Sequence, residues 1–268
     1  MKKVIIITIL VFASLIIYNN LDDPIGENNN LPEEEGQDEV ADPVEREVKG
    51  KVAIIIDDLG YYPELNKELL KVEEPLTLAI LPFLQDTEKA VDDFRSVTNF
   101  ELILHMPLEP MGQDHFEEKM IMTHHSKAEM DQLLTAALLE MKGAVAGVNN
   151  HKGSKFTSDR EKMRDLLELI KREDLFFIDS YTINTSVGYD LAKEISVPTE
   201  KRDLFLDNVD QKEAIRNSLY ELEELALERG WAIAIGHHKE NTIRVLQEEL
   251  PKMRERGIKL VKVSELLN

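Results

Sequence analysis

The chain has 268 residues, enough for one large domain and an additional segment, and its formal net charge at pH 7 is −20. It contains no cysteine, which excludes disulfides, thiolate metal sites and cysteine nucleophiles. The acidic balance argues against a nucleic-acid partner, because a phosphate backbone is bound by a basic surface.

The first 20 residues have the pattern of an export signal. Lys2 and Lys3 precede an apolar run from residue 4 to residue 18, and a positive start followed by such a run is typical of a secretory signal. No clear cleavage pattern follows, so a cleaved signal and a retained anchor both stay open. We therefore expect a protein that is secreted or anchored at the outer face of the cytoplasmic membrane, touching the membrane only through this segment.

The next segment, residues 21–50, is predicted to be an acidic disordered linker. Residues 19–50 contain eleven acidic and two basic side chains, with asparagines and prolines among them. Such a composition cannot bury enough apolar surface to offset the entropy of the chain. The folded domain is therefore expected to span residues 51–268.

Within residues 51–268, apolar runs alternate with amphipathic stretches. The predicted strands are residues 52–56, 76–81, 100–104, 144–148, 175–178, 204–206, 231–235 and 258–263. Helical patterns such as "SKAEMDQLLTAALLEMK" and "SDREKMRDLLELIKR" open with a serine and an acid three residues later, and "DQKEAIRNSLYELEELALERG" ends in Gly230. This order predicts a parallel sheet covered on both faces, either a barrel or a doubly wound sheet.

Six of the predicted strands end in polar side chains that can bind metals or move protons. These side chains are Asp57-Asp58, His105, Asn149-Asn150-His151, Asp179-Ser180, Asp207-Asn208 and His237-His238. In parallel α/β folds the carboxyl ends of the strands form one face, where active sites lie. We therefore expect these residues to share one site.

Asp57 and Asp58 are the first candidates. Neighbours on a strand point to opposite faces, so the two carboxylates are expected to diverge. One would then bind a cation while the other serves as a base. The alternative is a turn or helix-cap pair without a chemical role, since "DDLGYYP" contains turn residues.

His105 and His151 are the candidate imidazole ligands. His105 precedes a proline-rich loop, and His151 lies in "GVNNHKGSKFT". Without cysteine, a first-row metal needs histidine nitrogen and carboxylate oxygen, and two histidines with Asp58 suit catalytic Zn²⁺ or another divalent ion. His115, His124 and His125 are predicted to be surface residues.

His237 is the candidate proton donor, preferred to His238 because it lies nearer the strand. Ser154 and Ser180 lie near the expected site, but no nucleophile elbow surrounds either, and no phosphate-binding loop is present. Serine-hydrolase and nucleotide-driven functions are therefore not supported.

The motifs "AIIIDDLGY", "LTLAILPF", "LILHMPLEP", "GAVAGVNNHKGSKFTSDR", "LFFIDSYT", "RDLFLDN" and "AIAIGHH" resemble, in this order, the divergent polysaccharide deacetylase family. The resemblance runs from about residue 52 to the C-terminus. It implies an α/β fold, a deformed (β/α) barrel of about seven parallel strands like that of metal-dependent carbohydrate esterases. Those enzymes remove N-acetyl groups from chitin-like or peptidoglycan sugars.

The resemblance also implies roles. Residues 55–60 look like a Thr-Phe-Asp-Asp-Gly block, with Asp57 as the base and Asp58 as a metal ligand. The related enzymes take two ligands from a His-x-x-x-His motif, whereas this chain has only His105 there, so His151 is our choice for the second imidazole. An Arg-Pro-Pro-Tyr block is absent as well.

The expected function is metal-dependent removal of N-acetyl groups from an extracellular or cell-wall polysaccharide. Asp57 and His237 would be catalytic. Sugar binding is predicted for four polar residues at strand ends: Asn149, Asn150, Asp179 and Asp207. For Asp179 the alternative is that it orients a neighbouring residue. The alternative is a non-catalytic glycan-binding module of the cell envelope, which the missing histidine motif favours. A metal phosphoesterase would be expected to carry more carboxylates.

Overall fold

The computed structural model describes residues 47–112, 117 and 119–267. The predictions for the export signal, for most of the acidic linker and for His115 lie outside the described residues. Among the helices of the described part, none is long and apolar enough to cross a membrane.

The described part contains one parallel sheet of nine strands. The strands are β1 (Gly50–Leu59), β2 (Leu76–Ile80), β3 (Phe100–Leu108), β4 (Val145–Lys152), β5 (Phe176–Asp179), β6 (Thr199–Lys201), β7 (Leu204–Phe205), β8 (Trp231–His237) and β9 (Ile258–Val261). Their order across the sheet is β6-β5-β4-β3-β2-β1-β8-β7. The ninth strand, β9, pairs with the first half of β1, whereas β2 pairs with its second half.

The two edge strands of the sheet, β6 and β7, are separated by only Arg202 and Asp203. The three residue steps between the strands span at most about 11 Å. The backbone N–H of Arg202 donates to the Asp179 carbonyl on β5, and that of Asp203 donates to the Ile233 carbonyl on β8. The sheet therefore curls until its edges nearly meet, which confirms the deformed barrel. Strand β6 is not predicted from the sequence, because its three residues contain no apolar run.

Seven helices connect the strands in the described part: α1 (Asn66–Leu69), α2 (Thr87–Phe94), α3 (Lys127–Glu140), α4 (Arg160–Arg172), α5 (Gly188–Glu194), α6 (Lys212–Arg229) and α7 (Glu240–Glu255). The expected capping box opens α3, where Ser126 and Glu129 bond each other's backbone N–H. Asp159, not Ser158, caps α4, because its carboxylate accepts two N–H groups of the first turn. Gly230 ends α6 in the left-handed region, with φ 91°.

The side chains on the two faces of the sheet are buried in two different hydrophobic clusters, one outside the barrel and one inside it. Residues such as Val52, Ile54 and Ile56 pack against the helices, while the alternate residues Ala53 and Ile55 form a separate cluster inside the barrel. Val263 and Leu266, from the C-terminal segment, belong to the inner cluster. The inside of the barrel is thus filled with apolar side chains along the strands, which leaves their carboxyl ends for polar groups.

Candidate metal centre and proton-transfer groups

Asp57 and Asp58 do not diverge as the sequence analysis predicted. Asp58 has a positive φ of 66°, and the pairing of β1 with β2 is irregular between Ile56 and Leu59. This irregularity breaks the alternation of the strand. Both carboxylates therefore approach one nitrogen, His105 Nε2, at 3.5 Å from Asp57 Oδ2 and 3.4 Å from Asp58 Oδ1. A non-glycine residue in this region is uncommon, and strained backbone of this kind is found at functional sites.

Three predicted ligands come together at this point. Asp58 Oδ1 lies 3.4 Å from His105 Nε2 and 3.1 Å from His151 Nδ1, and the two nitrogens are 3.1 Å apart. Ligands held at about 2.0–2.1 Å in a tetrahedral arrangement lie about 3.3–3.4 Å from one another. The triangle therefore has the size that one small divalent ion requires.

Asn149 sets the tautomer of His105. Its Nδ2 donates to Asp57 Oδ1 at 2.8 Å, and its Oδ1 lies 2.7 Å from His105 Nδ1. Only the amide nitrogen can donate to a carboxylate, so the amide oxygen must accept from the imidazole. His105 then carries its proton on Nδ1 and presents the Nε2 lone pair to the centre.

Glu117 plays the same part for His151. Its Oε1 lies 2.9 Å from His151 Nε2 and 2.8 Å from Lys152 Nζ. Although burial raises the pKa of Glu117, contacts with His151 and Lys152 lower it to about 2. The ionised carboxylate accepts the Nε2 proton, which leaves the Nδ1 lone pair of His151 for an ion. Carboxylate–histidine pairs of this kind orient metal ligands in many proteins.

With these tautomers, one carboxylate and two imidazole lone pairs converge on a single point, and a cation satisfies all three. The donor set, two histidine nitrogens and one carboxylate oxygen, fits a catalytic divalent site with positions open for water. In the metal-free state, a proton on His151 takes the place of the ion beside Asp58. Burial lowers the pKa of His151, but Asp58 and Glu117 raise it to about 9.

Asp57 lies beside this centre as a buried carboxylate. Burial raises its pKa, and the neighbouring His105 and the hydrogen bond from Asn149 offset only part of that effect. A carboxylate with a raised pKa is a stronger base than one in water. Asp57 is therefore suited to take a proton from a molecule held at the centre.

His237 faces the centre from the neighbouring strand. Its Nδ1 lies 2.7 Å from Asp207 Oδ1, and Asp207 Oδ2 accepts the backbone N–H of His237 and the hydroxyl of Thr242. Burial lowers the pKa of His237, but the contact with Asp207 raises it above the ordinary value. Since Asp207 holds Nδ1, Nε2 is the nitrogen that can give a proton to a bound molecule.

The four residues predicted to bind sugar act instead inside the protein. All four are buried, and their polar atoms bond other parts of the chain. Asn149 and Asp207 orient His105 and His237, as described above. Their contact with sugar hydroxyls stays a prediction, which the hydrogen bonds that occupy these atoms inside the protein do not support.

Asn150 and Asp179 hold the loops around the centre. Asn150 donates to the Lys152 carbonyl and accepts the backbone N–H of Ser180. Asp179 accepts from the backbone of Tyr181, and its second oxygen accepts from the Ser186 hydroxyl and the Tyr189 N–H. These bonds agree with the alternative role of Asp179, to orient a neighbouring residue, and its contact with sugar hydroxyls stays a prediction.

Glu117 is not among the residues predicted from the sequence. It follows no strand, and a single acid in a polar loop carries no periodic or capping signal. The remaining histidines lie elsewhere: His124 and His125 make an edge-to-face contact just before α3, where His124 is exposed and His125 is half-buried. The buried His238 follows His237 and forms part of a cavity wall beside the centre.

The sequence model of the divergent polysaccharide deacetylases matches residues 54–267. The uncharacterized protein YibQ of Escherichia coli K12 is 34% identical over 221 residues, which cover 82% of this chain and 68% of that protein. Among solved structures, the uncharacterized protein ATU2773 from Agrobacterium tumefaciens C58 superposes with a TM-score of 0.76 at 24% identity, covering 81% of this chain and 89% of that one.

A mutant of BA3943 from Bacillus anthracis, described as a CE4 family pseudoenzyme with restored enzymatic activity, has a TM-score of 0.53 at 16% identity. The match covers 82% of this chain and 68% of that one. At these identities the two structural likenesses show a shared fold.

Proposed function

The chain belongs to the divergent polysaccharide deacetylase family, and on that premise we propose that it is a metal-dependent hydrolase that removes N-acetyl groups from a polysaccharide. One observation carries the proposal. The lone pairs of Asp58, His105 and His151 converge within 3.4 Å of one another, while a buried carboxylate and an Asp-paired histidine lie at the same edge of the sheet. A binding protein has no need of the last two groups.

The residues present fit a divalent ion such as Zn²⁺, which Asp58, His105 and His151 would hold. When bound, such an ion polarises an amide carbonyl and lowers the pKa of water to about 7. Asn149 and Glu117 keep the two imidazoles in the tautomers that binding requires.

Asp57 accepts the proton of the attacking water. Its burial makes it a stronger base, and Asn149 holds its Oδ1 by a hydrogen bond of 2.8 Å, so that Oδ2 faces the centre. Because Asn149 also bonds His105, one amide aligns the base with a metal ligand. A positioned base of this kind typically contributes about 10²–10⁴-fold to the rate.

His237 protonates the departing nitrogen. An amine leaves poorly as an anion, so breakdown of the tetrahedral adduct needs an acid close to that nitrogen. Asp207 raises the pKa of His237 above the ordinary value, which increases the share of imidazole that carries the proton to be given. The products are acetate and a free amino sugar.

The substrate we propose is a glycan with N-acetylated amino sugars, outside the cytoplasmic membrane. The N-acetyl group as the reacting group is supported by the family and by the residues of the site. Its location is supported by the lysines and the apolar run of residues 1–20.

The test measures acetate release from oligomers of N-acetylated amino sugars, with Zn²⁺ supplied and with the metal removed by a chelator. We expect release that is lost on chelation and restored by added metal. Binding of the same glycans without release from any of them would contradict the proposal and indicate a glycan-binding module.

A further inference from the structure

The imidazole of His237 has an aromatic ring against its face. Phe205 lies on β7, which pairs with β8, and its ring centroid is 5.8 Å from that of His237, with 21° between the two planes. Asp207, two residues further along the chain, lies 2.7 Å from Nδ1 of the same imidazole. The terminal torsion of a histidine side chain is broad. A ring that packs against the imidazole narrows it further than a single hydrogen bond does.

Arg202 holds Phe205 in turn. The guanidinium carbon lies 3.6 Å from the centroid of the Phe205 ring, which is a direct stacking contact. A flat and weakly hydrated guanidinium is attracted to the negative face of an aromatic ring. Arg202 therefore restricts the movement of Phe205, and through Phe205 it restricts the movement of His237.

The backbone after β5 fixes the guanidinium itself. Arg202 Nε donates to the Ser180 carbonyl at 2.8 Å, and Nη2 donates to the Tyr181 carbonyl at 2.8 Å. Because the fork of a guanidinium is rigid, two such bonds set both its position and its plane. Tyr181 has a positive φ of 48°, and a residue strained in this way persists only where the surrounding contacts hold it. The guanidinium is thus fastened to a defined piece of backbone.

The same piece of backbone borders the proposed base. Asn149 Nδ2, which donates to Asp57, also lies 3.3 Å from Ser180 Oγ. Burial lowers the pKa of Arg202, and the carboxylates of Asp179 and Asp57 oppose that effect. Arg202 therefore connects the segment beside the base with the ring beside the acid, at the place where the two edges of the sheet approach each other.

We propose that Arg202 and Phe205 are positioning residues for the proposed acid: the guanidinium holds the phenyl ring, and the ring holds the imidazole of His237 so that Nε2 is directed to the centre. The inference rests on the proposed function for the role of His237. It adds two residues that act through another side chain. The part of Arg202 requires a planar guanidinium, since the ammonium of a lysine is a point charge that does not bond two carbonyls as a rigid fork.

The orientation of His237 is measurable without turnover, by NMR of the full chain loaded with Zn²⁺ and isotope-labelled in its histidine rings. The chain contains seven histidines, and the signal that is absent from His237→Gln identifies His237. Protons above the face of a phenyl ring are shifted to lower frequency by its ring current. The difference in shift between the wild type and Phe205→Leu, which lacks the ring, gives the contribution of the stack.

The test variant is Arg202→Lys, which keeps the charge and removes the planar fork. The matched control is Arg229→Lys. The Arg229 guanidinium also stacks on an aromatic ring, 4.1 Å from the centroid of Trp231, but at the other end of β8. Phe205→Tyr is the rescue variant, because it keeps an aromatic ring at the same position. Acetate release and zinc content are measured on all variants.

We expect Arg202→Lys to lose most of the ring-current shift and to lower kcat by about 10–100-fold with KM unchanged, since a displaced proton donor slows only the chemical step. Phe205→Leu should lower kcat to a similar extent. Phe205→Tyr and Arg229→Lys should keep the wild-type shift and kcat, and zinc content should stay the same throughout. Arg202→Lys with either the wild-type shift or the wild-type kcat overturns the proposal. If Arg202→Lys does not fold, equal kcat in Phe205→Leu and Phe205→Tyr overturns it.

The shift and the turnover separate this inference from the proposed function. A shift that depends on Arg202, in a wild type that releases no acetate, supports the stack and contradicts the hydrolase. Acetate release by the wild type, with unchanged kcat in Arg202→Lys and Phe205→Leu, contradicts the stack alone.

Discussion

Asp57 and His237 are direct partners across the β1–β8 pair of parallel strands. Neighbouring strands lie about 4.8 Å apart. The sheet itself therefore holds the proposed base and the proposed acid close enough to act on the same reacting carbon. Each is oriented by a further buried residue, Asn149 for Asp57 and Asp207 for His237. The rigid sheet, rather than a loop, therefore sets the geometry of both proton transfers.

Amide substitutions at the two neighbouring aspartates should have different effects. Asp57→Asn keeps the shape of the side chain and removes its basicity, so bound metal should stay while turnover falls by about 10²–10⁴-fold. Asp58→Asn weakens a metal bond, so metal content and turnover should decline together. Metal analysis of both purified variants, paired with the acetate-release assay, measures this. Equal loss of metal in both variants would remove the distinction between base and ligand.

Glu117 should control metal affinity although it does not bind the ion. Glu117→Gln weakens the acceptor for His151 Nε2, and we expect the dissociation constant of Zn²⁺ to rise about 10-fold or more. The matched control is Glu109→Gln, whose carboxylate accepts from Thr123 and Lys155 instead. Competition with a chromophoric chelator measures both. Equal affinities in the two variants would show that the contact between Glu117 and His151 has no influence on the ion.

The pH profile should depend on Asp207. Because Asp207 raises the pKa of His237, Asp207→Asn lowers it, and less of the imidazole is protonated at neutral pH. The alkaline limb of the kcat profile should therefore move to lower pH. Asp203→Asn is the control, since Asp203 pairs with Arg229 nearby. An alkaline limb that stays in place would exclude His237 as the acid.

His238 should contribute to acid sensitivity. Burial lowers its pKa in the folded state from the ordinary value of 6.5 to about 4. A depressed pKa stabilises the fold above the unfolded value and loses that contribution as the pH falls from about 6.5 towards 4.

Between pH 7 and pH 5 the wild type should therefore lose about 2 kcal/mol more of its free energy of unfolding than His238→Gln. Urea unfolding at both pH values, with a chelator present, measures the difference. The exposed His124→Gln is the control and should behave like the wild type. Parallel losses in the wild type and His238→Gln would mean that His238 is protonated equally in both states.

Much of the fold could be predicted from the sequence. Continuous apolar runs between amphipathic helices indicate parallel strands buried on both faces, and this local pattern located eight of the strands. The same pattern grouped the polar residues at the strand ends, because parallel strands place their carboxyl ends at one edge. Three polar-flanked residues at β6 gave no such signal.

The roles of individual polar residues depended on the tertiary structure. Asn149 and Asn150 are neighbours in the sequence, yet one aligns the base with a metal ligand and the other holds a loop. Burial and hydrogen-bond partners decide between these roles, and both come from strands and loops distant in sequence.

The sequence by itself determined the parallel sheet and the set of acids and imidazoles at its edge, since both follow from local periodicity, whereas the barrel was implied by the resemblance to the deacetylase family. Only the tertiary structure decided that Asp57 and Asp58 face the same histidine, because the irregularity after Ile56 and the positive φ of Asp58 override the alternation of a regular strand. It also brought in Glu117, whose part depends on a distance across the folded chain that spacing along the sequence does not contain.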